Sequence, residues 1–245
     1  MLVFFVGILY NWGMNLIVII LIAVGAFVLL VLAGLAIVNF SGEEMVSKFN
    51  DVSKIGTNIS AYDLAQRVSQ DYFSNRISIV FKDAFLSDSY SSSNVLTLCS
   101  KYARQENLAG LAVCAHELGH AFQFKEQRQK MKKYGKRVNF SKLLSKLVTP
   151  IFVVAIVLCC FDKLIFAGIT AGIALIIFII ALSVKMSTIK IEKEASDKAL
   201  EILQEYAYLT DHEINSAKKF LDSAKQTYVA DLLKSILKWT GLTRK

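Results

Sequence analysis

The stretch LVTPIFVVAIVLCCFDKLIFAGITAGIALIIFIIALSV, residues 147–184, carries two charged side chains, the adjacent pair Asp162-Lys163. As one helix these residues would measure about 57 Å, nearly twice the roughly 30 Å of a bilayer's hydrocarbon core. A charged pair near the midpoint, beside Phe161, marks the tip of a tight hairpin of two crossings. The first arm, Leu147–Phe161, is short, so either the bilayer thins there or the arm begins among the preceding lysines. A re-entrant pair of helices is the alternative arrangement.

Upstream, no charged side chain occurs from Met1 to Gly42, and Leu16–Phe40 is mostly aliphatic. That run spans a bilayer with some tilt, and it lacks the basic leader and short apolar core of a cleavable signal. Tyr10 and Trp12 suit an interfacial anchor. We therefore expect one span with an interfacial lead-in, a second short span being the alternative. The chain divides into an N-terminal transmembrane anchor (1–41), a wet segment (42–146), the hairpin (147–184) and a helical tail (185–245). The expected fold class is mainly α, an integral membrane protein with about three transmembrane helices and a wet α+β part.

Composition agrees. The 245 residues are 54% hydrophobic and 20% charged, with mean hydropathy +0.46, too apolar for a soluble domain and too charged for a chain lying wholly in lipid. The net charge is +8. Nine Lys and Arg residues lie in Lys125–Lys146, directly before the hairpin, and Lys185, Lys190 and Lys193 follow its exit. Basic residues flanking spans face the cytoplasm. This predicts a multi-pass protein of the cell membrane with both wet segments in the cytoplasm and the N-terminus and hairpin tip outside. No aromatic-basic stripe or helix-turn-helix pattern supports nucleic acid as a partner. Four cysteines, two of them adjacent in the apolar run, make no disulfide framework. Cys99 and Cys114 are small apolar fillers, and Cys159-Cys160 belong to the membrane part.

The wet segments mix helix and strand. Leu64, Ala65, Val68 and Tyr72 give Ser60–Phe73 a helical spacing. Ile77–Phe81 and Val95–Cys99 suggest two short strands around the Ser-rich loop Ser87–Asn94. A longer helix is expected from about Glu106 to Gln127, and another from Thr188 to Tyr206. Thr210-Asp211-His212-Glu213 has the form of a capping box opening a further helix, whose apolar face continues through Phe220, Leu221, Ala224 and Tyr228.

The helix over 106–127 contains His116-Glu117-Leu118-Gly119-His120, an H-E-x-x-H sequence. Residues i and i+4 lie about 40° apart around a helix, so both imidazoles leave one face and reach one cation. Neutral imidazole suits Zn²⁺, and two such ligands with a carboxylate leave a fourth position for water. Glu117 can accept that water's proton and return it to the leaving amine. With three histidines in the chain, chance expectation for the pattern is on the order of 0.002. The pattern therefore carries chemistry. Gly119, Ala115 and Ala112 let another backbone approach this helix.

A third ligand must come from the tail, which two crossings return to the same side. Ile191-Glu192-Lys193-Glu194-Ala195-Ser196-Asp197 offers three acids. Glu192 and Glu194 lie about 200° apart on a helix and cannot both face a metal. Spacing alone leaves Glu192, Glu194 and Asp197 open. A helix running unbroken from Val184 sets Glu192 about 12 Å beyond the span. His212 is a candidate for stabilising an oxyanion, though it also suits an exposed helix start, and Tyr228 suits the packing of an amphipathic helix.

These motifs resemble those of the YugP-type membrane zinc metallopeptidases. That family's A-A-H-E-x-G-H-A-x-Q is matched by Cys114-Ala115-His116-Glu117-Leu118-Gly119-His120-Ala121-Phe122-Gln123. Its E-F-D-A-S-x-x-A-L is matched by Glu192-Lys193-Glu194-Ala195-Ser196-Asp197-Lys198-Ala199-Leu200, and its T-Y-V-A by Thr227-Tyr228-Val229-Ala230. The resemblance runs from about Ala61 to Leu237. It implies a gluzincin-like domain in which Glu192 joins His116 and His120 as the third zinc ligand, Ser196 stands where a histidine-orienting residue belongs, and Glu117 is the catalytic base. The family's D-H-Y-D-P is here Asp88-Ser89-Tyr90-Ser91-Ser92, lacking the His and second Asp, and Lys193 replaces a Phe.

The expected function is a membrane-anchored zinc metalloendopeptidase acting on protein or peptide substrates associated with the lipid bilayer. The alternative is a non-catalytic membrane adaptor with a structural zinc site, which has no need of Glu117. A transporter is disfavoured by the scarcity of intramembrane polar groups.

Overall fold

The computed structural model describes residue 25 and residues 43–84, 88–91 and 93–237, with the backbone alone for 225–237. Apart from residue 25, the anchor expected over 1–41 lies outside these residues, as does the side chain of Tyr228. The chain is mostly helical with one small sheet. It forms two compact units, one comprising Ser41–Arg137 with Ser187–Tyr228, the other containing Val138–Met186.

In the first unit a helix over residues 43–53 (α1) precedes α2, Ala61–Phe73. Ser60 starts α2 with a reciprocal pair of bonds: its hydroxyl accepts from the Asp63 N–H, and Asp63 accepts from the Ser60 N–H, both at 3.2 Å. Two orphan donors of the first turn are thereby satisfied. Leu64, Ala65 and Val68, on the face expected from their spacing, are fully buried, whereas Tyr72 is partly exposed. Ser74 and Asn75 then take left-handed backbone angles, φ 51° and 56°, and turn the chain into the sheet.

The sheet corrects the expected strand pair. β1 (Ser78–Lys82) and β3 (Val95–Cys99) pair in parallel, and a third strand, β2 (Ser89–Tyr90), pairs antiparallel to β3 on its other side, giving the order β1-β3-β2. A two-residue strand shows no alternation, so β2 was hidden in the Ser-rich loop. Asp88 fixes it, accepting the Cys99 N–H at 2.8 Å and the Tyr102 hydroxyl. Asp88 thus ties β2 to the end of the central strand.

Helix α3, Leu108–Glu126, starts at Asn107, whose side chain accepts from the Gly110 N–H at 2.8 Å. Most of its residues are buried, so it is the axle of this unit. Helix α6, Ile189–Tyr206, lies against it. The capping box at Thr210 and Glu213 forms as expected, with Thr210 N–H donating to Glu213 Oε2 at 2.7 Å, and opens α7, Asp211–Leu237. Ala217, Phe220 and Leu221 of α7 complete the core.

The second unit contains the hairpin. Helix α4 runs unbroken from Arg128 to Cys160 and α5 from Leu164 to Met186. The first arm is therefore not short: the helix already exists among the lysines, and Pro150 sits inside it. Asp162, at φ 56°, turns the chain at the expected tip. On α4 the buried residues Ser141, Ser145, Val148, Phe152 and Ala155 repeat at alternating intervals of four and three, and on α5 Ala167, Ala174 and Ala181 repeat every seven. That is the seam of two helices packed lengthwise with small residues at the contact. Ser141 Oγ donates to the Ala181 carbonyl across it at 3.0 Å. Large apolar side chains such as Val153, Val154, Ile165, Phe166, Ile169 and Ile176 face outward. By length and apolarity two helical stretches could cross a membrane, Arg128–Cys160 and Leu164–Tyr206; a turn at residues 187–188 divides the latter into α5 and α6, so the helix does not run unbroken from Val184 to Glu192.

Ser60→Ala removes the cap of α2 and should lower the stability of the first unit by about 1 kcal/mol. Urea unfolding of the detergent-purified chain measures this.

Candidate active site

The site is built where α3 crosses α6. A Cβ on Gly119 would lie 2.4 Å from the Ala195 carbonyl oxygen and 3.1 Å from its carbonyl carbon. Only glycine admits that approach. Three residues before and one residue after this contact stand His116 and His120 on α3, and Glu192 and Ser196 on α6. The crossing therefore brings the two pairs together.

Glu192 Oε2 lies 3.5 Å from His116 Nε2 and 3.2 Å from His120 Nε2. The three side chains form a group able to hold a metal ion, the only one found among the described residues. Bond lengths of about 2.0–2.2 Å in a tetrahedral zinc site imply ligand–ligand edges of about 3.3 Å. The two separations bracket that value, so the donor set fits zinc.

The other ring nitrogens are held from behind. Gln123 Nε2 donates to the Ile191 carbonyl at 2.8 Å, which turns its Oε1 toward His120 Nδ1 at 2.9 Å. Ser196 Oγ donates to the Glu192 carbonyl at 3.0 Å and lies 3.2 Å from His116 Nδ1. Since each partner's own proton is committed to a carbonyl, each accepts from an Nδ1–H. In the neutral rings both Nε2 lone pairs would then be free for a metal on the Glu192 side of the site, whereas in an imidazolium the same Nε2 carries a proton toward Glu192. Tyr134 of α4 donates its hydroxyl to Glu192 Oε1, which leaves Oε2 for the histidine side.

Charge in this half-dry site is strongly coupled. Burial opposes a charged His120, but its bond to Glu192 and the nearby Glu117 carboxylate outweigh that and raise its pKa to about 9. Burial also opposes ionised Glu192, yet the bonds from His116, His120 and Tyr134 hold its carboxyl far below the usual range. Glu117 is pushed upward, chiefly by burial and in part by Glu192 and Asp88, against the pull of the two histidines. Glu117 is thus the most proton-ready carboxylate beside the pair of imidazoles.

The three acids left open by spacing separate in the structure. Glu192 is buried and faces the histidines. Glu194 is engaged by Lys130 at 2.6 Å, and Asp197 is exposed. His212 is exposed at the start of α7 and outside the cluster. Cys114 is buried as a filler, its thiol donating to the Ala61 carbonyl at 3.2 Å. Two contributors had no assigned role. Gln123 was visible as a motif position, but its reach to α6 depends on the crossing. Tyr134 lay within a basic run explained by topology, and no periodicity singled it out.

Comparison with known proteins bears on the same residues. A family model described as "Putative neutral zinc metallopeptidase" matches residues 17–243. The chain is 25% identical over 218 residues to the "Putative membrane protease YugP" of Bacillus subtilis (strain 168), covering 86% of this chain and 92% of that protein. No solved structure matches.

Gly119→Ala should push α3 and α6 apart, lowering both thermal stability and bound metal. Gly135→Ala, where a Cβ meets nothing within 4 Å, should leave bound metal unchanged and slightly raise the melting temperature. The metal-free chain should also show a definite pH dependence. His120 has its pKa raised from 6.5 to about 9, so the stabilisation from its imidazolium is complete below about pH 6.5 and lost as pH rises through about 9. In chelator, urea unfolding should show a fall on the order of 3 kcal/mol across that window, and His120→Gln should flatten it.

Proposed function

The chain belongs to the family of putative neutral zinc metallopeptidases, and on that premise we propose that it is a membrane-anchored zinc endopeptidase. The observation that carries this reading is the spacing of Glu192 Oε2 from the two Nε2 atoms, 3.5 and 3.2 Å, with an acid, Glu117, adjacent in sequence to His116.

His116, His120 and Glu192 would hold the zinc. Zinc bound there supplies Lewis acidity, lowering the pKa of water and polarising a scissile carbonyl. Glu117 takes the proton of the attacking water onto its carboxylate and delivers it to the leaving amine. Burial lifts the Glu117 pKa, which improves it both as a base for that water and as the acid that follows. Gln123 and Ser196 keep the imidazoles in register, and Tyr134 fixes the rotation of the Glu192 carboxylate.

The substrates are proteins or peptides associated with the membrane, because Glu192 follows the apolar block ending at Val184 by eight residues. The protein sits in the cell membrane as a multi-pass chain with its catalytic part on the cytoplasmic side, a reading supported by the basic clusters flanking the hairpin. Nucleic acid is not a partner.

Metal analysis of the purified chain should find about one zinc, with large losses in His120→Ala and Glu192→Ala. Glu117→Gln should keep the metal and lose turnover of peptide substrates by about 10²–10⁴-fold. A Glu117→Gln chain that cleaves as well as wild type would remove the peptidase reading and leave a structural zinc site.

A further inference from the structure

A cavity of about 430 Å³ opens in the first unit between the end of α2, β2 and the C-terminal half of α3. Arg76, Lys125 and Arg128 line it together with Phe73, Tyr90 and Phe124, and among the described residues no carboxylate does. Lys125 Nζ donates to the Tyr72 carbonyl at 2.7 Å and lies 5.2 Å from the Phe73 ring centre, so its ammonium is held in place without a counter-charge. Arg76 and Arg128 are exposed, and among the described residues neither enters an ion pair. Three cations around one concavity with no anion create a positive field that a bound carboxylate would relieve. The aromatic walls, with the Tyr90 and Phe124 ring centres 5.8 Å apart, suit the apolar body that carries such a group.

The cavity's position links it to the proposed chemistry. At 100° per residue, Ala121, Phe124 and Lys125 fall within about 80° of Glu117 around α3, and the first two lie within about 40°. Phe124 is seven residues from Glu117, about 10 Å along the helix, which equals about three residues of extended peptide. A polypeptide laid along this face from the base would therefore bring its third residue to the cationic cavity.

Resting on the peptidase reading, we propose that this cavity is a substrate subsite selecting a carboxylate about three residues from the scissile bond. The carboxylate is an acidic side chain or the substrate's own C-terminus. Arg76, Lys125 and Arg128 supply charged hydrogen-bond donors, and the aromatic rings hold the neighbouring apolar atoms. A lipid headgroup shares the charge but does not account for the alignment with Glu117.

The test uses the full chain with Glu117→Gln, zinc-loaded, in phosphatidylcholine nanodiscs. The probes are dye-labelled octapeptides, amidated at the C-terminus and identical except for two glutamates or two glutamines. A third probe carries the glutamines and a free C-terminus. Fluorescence anisotropy should show the glutamate peptide binding about tenfold tighter than its amidated glutamine twin. The free-acid probe separates the two carboxylate sources, matching the glutamate peptide if a chain terminus suffices and the amidated twin if a side chain is required.

Arg76→Gln with Arg128→Gln should reduce the preference to below about twofold while zinc content stays at the wild-type level. Arg128→Gln alone, at an exposed position, should reduce it in part and serves should the pair misfold. Equal binding of all three peptides overturns the proposal, as does a preference that survives both variants. Displacement of the peptide by phosphatidylglycerol vesicles, with no difference among the peptides, reassigns the cavity to lipid. Wild-type chain that binds with charge preference yet cleaves none of the probes leaves the subsite standing and counts against the peptidase reading. Cleavage without charge preference does the reverse.

Discussion

Everything at the site descends from one steric fact, the backbone of α6 resting against α3 where Gly119 has no side chain. Two helices bearing ordinary residues pack with axes about 8–10 Å apart. At a closer approach neither side chain has to extend fully for one carboxylate to meet both imidazoles. The contact at Ala195 removes one layer of side chains, so that a single Glu192 oxygen comes within 3.5 Å of both rings. Ala195 is itself fully buried, and Ala199 continues the small-residue surface of α6. The chemistry-bearing residues and the small residues therefore interleave on the same faces, and each depends on the other.

The crossing also explains how the site holds its orientation. Gln123 reaches from α3 to the Ile191 carbonyl on α6, and Tyr134 of α4 clasps the far oxygen of Glu192. Each clasp joins two different helices. The groups that set the tautomers are thus also those that hold the helices in place, and disturbing the packing disturbs the electrostatics.

Much of this was legible in the chain itself. The H-E-x-x-H pair could be read because covalent spacing alone aligns residues four apart, and the helix found over Leu108–Glu126 lies within two residues of the expectation at each end. The hairpin tip at Asp162 was legible because charge cannot be hidden in lipid. The choice among Glu192, Glu194 and Asp197 was not settled by spacing, since it depends on which face of α6 meets Gly119 and on Lys130 drawing Glu194 aside. Tyr134 and β2 were invisible for a related reason. Their roles arise from partners 58 and 11 residues away in sequence, and neither leaves a periodic trace. Helix α4 began earlier than the apolar run implied, because a lysine-rich stretch is as good a helix former as an apolar one.

The two halves of the site lie on opposite sides of the hairpin in the chain, the Gln123 side chain and the Ile191 carbonyl being 68 residues apart. A ribosome adding roughly 5–20 residues per second needs about 3 to 14 s to cover that interval. Throughout that time the histidines have been made and Glu192 has not. The chain emerges as an incomplete tool, and it becomes whole only after both apolar arms have been synthesised. Order of synthesis thereby sets when the metal-ligating group can close, which is only after the apolar middle of the chain has been made.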